Sequence, residues 1–216
     1  IGLLFASALA CATGAEVMYT LEFLVWGYRP AALNEHGELV GDRVENTQQA
    51  ALFDGTNWVR TGFSRSASST LFDINENHFA VGLNSLPPDE DPSNSVFAVR
   101  VHRDAPFDIF SLGTLTGEHG TAKARSINNL NIVVGDSLNA AGKLRAVRFE
   151  TNGTVTDLGT LSGETSTAVA INDDGVIAGE SKNSAGQIRG FILGDDGIMR
   201  DIGTLGGGET FVTAMN

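Results

Sequence analysis

The sequence predicts an all-β fold, a β-propeller-like array of four-stranded antiparallel blades read as an incomplete ring, with a β-solenoid as the rival. Three observations predict it. An Asn followed seven residues later by Gly recurs as Asn34/Gly41, Asn75/Gly82, Asn128/Gly135 and Asn172/Gly179. The tripeptide Gly-Thr-Leu recurs at Gly113, Gly159 and Gly203. Glycine supplies 26 of 216 residues. That excess over the usual share calls for many tight turns, hence many short strands.

The Asn anchors are spaced 41, 53 and 44 residues apart, and a fifth, Asn216, follows after another 44. Units are expected at about 29–63, 64–117, 118–163 and 164–207, with a further unit starting at 208–216. The long step holds a polar, proline-rich insertion, Leu86–Ser95. A four-strand meander repeated every 40–50 residues or so fits a propeller blade, whereas solenoid turns are usually much shorter. One such sheet cannot cover both of its faces, and stacking sheets buries them against each other.

The first segment, Ile1–Ala12, is apolar and rich in small residues. It reads as the core and cleavage region of a secretory signal peptide, residues 1–15, with 16–216 as the repeat domain. Twelve residues are too few for a membrane-spanning helix, and the alternative is a buried first strand. Met18–Leu24 matches the last strand of a unit. In the fourth unit the four strands, a to d, are read at Thr167–Asn172, Val176–Ser181, Ile188–Leu193 and Met199–Leu205. These are apolar, β-branched runs bounded by Gly, Asn and Asp. No sustained period of 3.6 is present, so helix is not expected. A fifth strand a is expected at Phe211–Asn216, with the repeat read as continuing beyond it.

Tight hairpin turns demand positive φ. The a–b turns place Gly37, His78, Asn131 and Gly175 at that position, and His and Asn tolerate it best among residues with a Cβ. His78 therefore has a backbone explanation. The c–d turns offer Asp54-Gly55, Asn152-Gly153 and Asp196-Gly197.

The stretch from Asp157 to Gly207, "DLGTLSGETSTAVAINDDGVIAGES…DIGTLGG", resembles the HAF repeat family of bacterial proteins thought to be extracellular. The likeness is strong over Ala122–Asn216 and loose over Ala31–Leu115. The family's His-Ala-Phe is replaced here by Arg145-Ala146-Val147 and Arg189-Gly190-Phe191. No role of a family His carries over. The resemblance implies export, a repeat-built β fold and no established enzymatic activity.

Chemistry is sparse. A net charge of −12 repels phosphate backbones, so nucleic acid is not an expected partner. Cys11 is the only cysteine, which excludes a disulfide within the chain. His36, His78, His102 and His119 lack metal-ligand spacing, and no zinc site is expected. No nucleophile or phosphate-loop motif is present. Asp173-Asp174 and Asp195-Asp196 coincide with turns, where Asp bonds locally; calcium is the alternative. Trp26 and Trp58 do not recur, so no repeated sugar platform is supported. Phe53, Phe149 and Phe191 are read as inter-sheet core.

The one speculative site is an acidic loop face. Glu118, Glu164 and Glu209 follow glycines in the d–a connections. Asp89, Glu90 and Asp91 of the insertion would share their face, because d–a and b–c loops emerge together. Their field could attract a cation, a basic peptide or a cationic ligand. A solvated rim that keeps the protein soluble is the competing explanation. The functional expectation is a secreted, extracellular or periplasmic scaffold without enzymatic activity. It would bind a protein or glycan partner, need no cofactor, have no membrane span once processed, and be monomeric when complete. An enzyme acting on extracellular polysaccharides and a calcium-stabilised structural repeat are the alternatives.

Overall fold

The computed structural model describes residues 5–8, 19–22, 27–44, 48–61, 68–87, 89, 95–117 and 120–216. They are all-β, without helix. Four antiparallel four-stranded sheets follow one another along the chain. Sheet I holds β3 (Tyr28–Leu33), β4 (Leu39–Val44), β5 (Gln48–Phe53) and β6 (Trp58–Arg60). Sheet II holds β7 (Ser68–Ile74), β8 (Phe79–Ser85), β9 (Val96–His102) and β10 (Ala105–Ser111). Sheet III holds β11 (Ala122–Ile127), β12 (Val133–Leu138), β13 (Leu144–Phe149) and β14 (Val155–Asp157). Sheet IV holds β15 (Ser162–Ile171), β16 (Ile177–Asn183), β17 (Ile188–Leu193) and β18 (Met199–Asp201). Within each sheet the strands pair in chain order, the meander read from the repeat. A further hairpin-like pair joins β1 (Phe5–Ala8) and β2 (Tyr19–Glu22). β1 lies inside the segment expected to be a signal peptide, and β2 lies inside Met18–Leu24.

The anchor glycines are explained by a bulge. In sheet III, Ala124 faces Gly135 but Ser126 faces Val134, so Arg125 is an extra residue on β11. The same slip falls at Ala31, Phe72 and Val169 in the other three sheets. A bulge bends its strand and drives a carbonyl toward the neighbouring strand. A Cβ on Gly41, Gly82, Gly135 or Gly179 would lie 2.0, 2.0, 1.9 or 2.1 Å from the carbonyl oxygen of Arg29, Thr70, Lys123 or Thr167. Only glycine leaves room for that approach.

The turns adopt the expected backbone. Gly37, His78, Asn131 and Gly175 have φ of 79, 64, 62 and 79°. Gly55, Gly153 and Gly197 of the c–d turns are positive as well. Gly-Thr-Leu is a bracket between sheets: Gly113, Gly159 and Gly203 have φ of 84, 90 and 77° and end strand d. The following Leu amide then donates to a buried serine of the next sheet, Leu115 to Ser137 Oγ at 3.1 Å and Leu161 to Ser181 Oγ at 2.8 Å.

The core lies between sheets. Val40, Ala50 and Leu52 of sheet I meet Leu71, Ile74, Ala80, Val99 and Val101 of sheet II. Val81 and Ala98 on the other face of sheet II meet Ala122, Ala124, Ile127, Val133, Val147 and Phe149 of sheet III. Val134 and Ala146 meet Ala168, Ile171, Ile177, Phe191 and Leu193 of sheet IV. Phe149 and Phe191 are core, as expected; Phe53 packs at 5.6 Å from the Trp58 ring.

Two strand expectations are corrected. Strand d of sheet IV ends at Asp201 rather than Leu205, because the left-handed Gly203 turns the chain. Phe211–Asn216 is not a strand, since no second strand pairs with it among the described residues. Its path still follows the repeat. Thr210 Oγ1 donates to the Gly203 carbonyl at 2.7 Å, as Ser166 Oγ does to Gly159 at 2.6 Å.

Candidate functional site

The a–b turns are joined by a ladder built on the anchor asparagines. Each anchor closes its own turn: Asn128 Oδ1 accepts the Leu130 and Ile132 amides at 3.1 and 2.9 Å. Its Nδ2 then donates to the carbonyl of the next anchor. Asn34 reaches Asn75 at 3.2 Å, Asn75 reaches Asn128 at 2.8 Å, and Asn128 reaches Asn172 at 2.9 Å. A second rail runs beside it, with the Glu35 amide on Glu76, the Glu76 amide on Asn129 Oδ1 and the Asn129 amide on Asp173. Only Asn supplies both the acceptor for its own turn and the donor for the next sheet. The turns so tied surround a hollow of about 360 Å³ lined by Ile74, Ile127, Ile171 and Met215 with the neighbouring Asn and acidic residues. Its polar rails are occupied by bonds between sheets, so this hollow is structural in origin.

Asp73 stands one step deeper, on β7. It accepts Ser126 Oγ at 2.8 Å and the Ile127 amide at 2.9 Å. Burial pushes its carboxyl above the usual aspartate value, against the pull of those bonds.

Of the expected acidic face, Glu164, Glu209 and Asp89 are among the described residues, and all three are exposed. Glu164 is exposed on β15 and pairs with Lys143 of the b–c loop of sheet III at 2.7 Å. The Lys143 hydrogen bond and charge hold its carboxyl below the usual glutamate value. This contact joins β15 to the b–c loop of sheet III, so Glu164 lies in strand a rather than in the d–a connection expected for it. Glu209 is exposed beside Thr210, whose amide bonds to the Ile188 carbonyl at 3.1 Å, and Asp89 is an exposed turn residue. Glu118, Glu90, Asp91, His119 and Trp26 lie outside the described residues.

Between sheets I and II the structure gathers residues that the sequence left scattered. Glu38 is buried, and its carboxylate accepts Asn34 Nδ2 at 2.6 Å, lies 2.8 Å from His78 Nδ1, and pairs with Arg103. His36 packs against His78 at 4.8 Å, and His102 lies edge-on to His78 at 6.3 Å. The signal was present: Glu38 occupies the repeat position held by Phe79, Ile132 and Val176. A charge at an otherwise apolar repeat position demands a partner. Despite the three imidazoles, no group of three His, Cys, Asp or Glu among the described residues could hold a metal ion. The cluster fastens the two sheets.

A second cavity is a groove between sheets III and IV, on the face of the a–b and c–d turns. It encloses about 640 Å³, whereas the matching groove between sheets II and III encloses about 150 Å³. The two are lined by equivalent positions, because Leu112 and Leu158 make the same amide bond, to Ala98 and Ala146. In the narrow groove Phe110 stands where the wide one has Thr156, while the Glu150 side chain turns to the other face and bonds Arg148 and Thr156. Arg100 also folds over Phe79 there at 4.8 Å. The smaller Thr156 leaves the wide groove more open at that repeat position.

Its walls are Leu130, Ile132, Leu158, Ile171, Ile177 and Leu193 with Arg148, Thr156, Asp157, Asp174 and Asp195. Most polar groups are engaged: Arg148 Nε donates to Glu150 at 2.7 Å, Thr156 Oγ1 donates to the same oxygen at 3.1 Å, and Arg145 pairs with Asp157 at 3.1 Å. The two acidic pairs of the sequence divide by role. Asp173 accepts from Asn129, and Asp196 accepts the Ile198 amide and pairs with Arg200. Arg200 chiefly, then the Ile198 amide, hold the Asp196 carboxyl down to about 2. Asp174 and Asp195 point their turns at the groove instead.

No family model matches the chain, and no curated protein matches it. No helix among the described residues is long and apolar enough to cross a membrane.

Proposed function

We propose that this chain is a non-enzymatic binding scaffold that holds its ligand in the groove between sheets III and IV. The observation that carries the reading is the contrast between the two equivalent grooves, one narrowed by Phe110 and the other left open by Thr156. A concave site of several hundred Å³ with apolar walls and a few polar groups is the usual form of a ligand pocket. Arg148, Thr156 and Asp157 are tied to neighbours, which suits walls better than reacting groups. The finer architectural reading is a β-propeller-like array. Strands β3, β7, β11 and β15 contact one another in succession, and the a–b turns gather round one hollow. Export to a cell-surface or extracellular setting, and membership of the HAF family, rest on the apolar first segment and the repeat wording.

The test copies the narrow groove into the wide one. Thr156→Phe should narrow the cavity without unfolding the sheet, since the equivalent strand position already holds Phe110. Titration with small amphipathic amides, followed by amide NMR shifts, should move Leu130, Gly175, Gly194 and Gly197 saturably in the native protein. The narrowed variant should show no such movement. Equal responses in both proteins would refute the assignment.

A further inference from the structure

We infer that the groove between sheets III and IV takes the cationic side chain of a protein partner, a lysine or arginine laid stem-inward. The inference rests on the reading of that groove as the binding site and adds its charge preference. The lining cation, Arg148, is held by Glu150 at 2.7 Å, and the lining Asp157 is held by Arg145 at 3.1 Å. Each of these pairs is neutral. Two lining carboxylates remain, Asp174 and Asp195, both exposed at the rim and neither engaged in an ion pair among the described residues. They come from different turns, a–b and c–d of sheet IV, and flank the same opening.

Beneath that rim part of the wall is aliphatic. Leu130 is 64% exposed, and Leu158, Ile177 and Leu193 continue inward. An apolar slot under an anionic rim matches one side-chain chemistry, a methylene stem ending in a positive charge, since lysine and arginine bury their stems and keep the head near water. The net charge of −12 steers such a ligand in from a distance. The apolar slot also separates this site from a bare acidic cluster, which would favour a hydrated metal ion over an organic cation.

Two probes with the same backbone and nearly the same stem isolate the charge, N-acetyl-lysine methylamide and N-acetyl-norleucine methylamide. Titrated into the folded protein at low salt and neutral pH, the lysine probe should bind about fivefold tighter than norleucine, the scale of an exposed charge interaction. Asp174→Asn with Asp195→Asn keeps the turn chemistry and removes the rim charge. In that variant the ratio should fall to about one while norleucine binding is unchanged. Equal affinity of the two probes for the native protein would overturn the charge preference and leave the groove standing as a binding site. Absence of saturable binding by either probe would overturn both. Displacement of the lysine probe by calcium chloride at matched ionic strength would also overturn it, by assigning the rim to an inorganic ion.

Discussion

Gly135 and Gly175 are both glycines of sheet-forming turns or strands, yet each is needed for a different physical reason. Gly175 has φ of 79° and nothing within 4 Å of its Cβ position. An alanine there meets only backbone strain, about 1 kcal/mol. Gly135 has ordinary φ, but its Cβ would lie 1.9 Å from the Lys123 carbonyl oxygen. Gly135→Ala must therefore push the β11 bulge away from β12 and disturb two core interfaces. Urea denaturation should show a loss of roughly 2–4 kcal/mol for Gly135→Ala against about 1 kcal/mol for Gly175→Ala. The spacing of Asn and Gly revealed that both positions matter. It was silent on the bulge, because a one-residue slip between strands leaves no mark in a single strand's pattern.

At the scale of elements, the repeated leucine of Gly-Thr-Leu shows that a strand connection is stabilised by the sheet that follows it. Leu115 and Leu161 pack against the cores of sheets III and IV. Leu205, their counterpart, is fully exposed, and Ile198, Ile202 and Phe211 near it are exposed too. Leu161→Ala should cost roughly 1–3 kcal/mol in a thermal or urea melt, and Leu205→Ala less than about 0.5 kcal/mol. Similar costs at the two positions would contradict the sheet-on-sheet account of the core. The same reasoning explains why Phe211–Asn216, with strand-like composition, forms no strand. Pairing is a property of two segments, and composition describes one.

In the whole molecule, each sheet contacts its sequence neighbours, so stability is spread over interfaces of unequal chemistry. Buried Asp73 lies across the II–III interface, and at the I–II interface the buried carboxylate is Glu38. Burial of Glu38 alone would raise its carboxyl, but the bonds from His78, Asn34 and Arg103 outweigh it and hold it below the usual glutamate value. A depressed carboxyl contributes stability that is fully present above its unfolded value and is lost as pH falls through the folded one. Between pH 5 and 3, roughly, native protein should therefore lose more urea stability than Glu38→Gln, whose baseline at neutral pH is lower. Parallel acid limbs for the two proteins would show that Glu38 does not link the sheets.

The meander of short strands and the sign of φ at the a–b turns were legible in the chain, since they depend on residues close together in it. Asn-Asp-Gly turns and alternating apolar runs act locally, and even His78 and Asn131 could be read as left-handed. The asparagine ladder, the Glu38–His78–Arg103 tie and the unequal grooves were decided only by the tertiary structure. Each joins residues some 40 or more positions apart through the stacking of one sheet on the next, as Asn75 on Asn128 shows. Glutamates 164 and 209 stood out in the sequence because they repeat. The groove depends on what fails to repeat, Thr156 for Phe110, and the size of a gap is set by the distance between packed sheets.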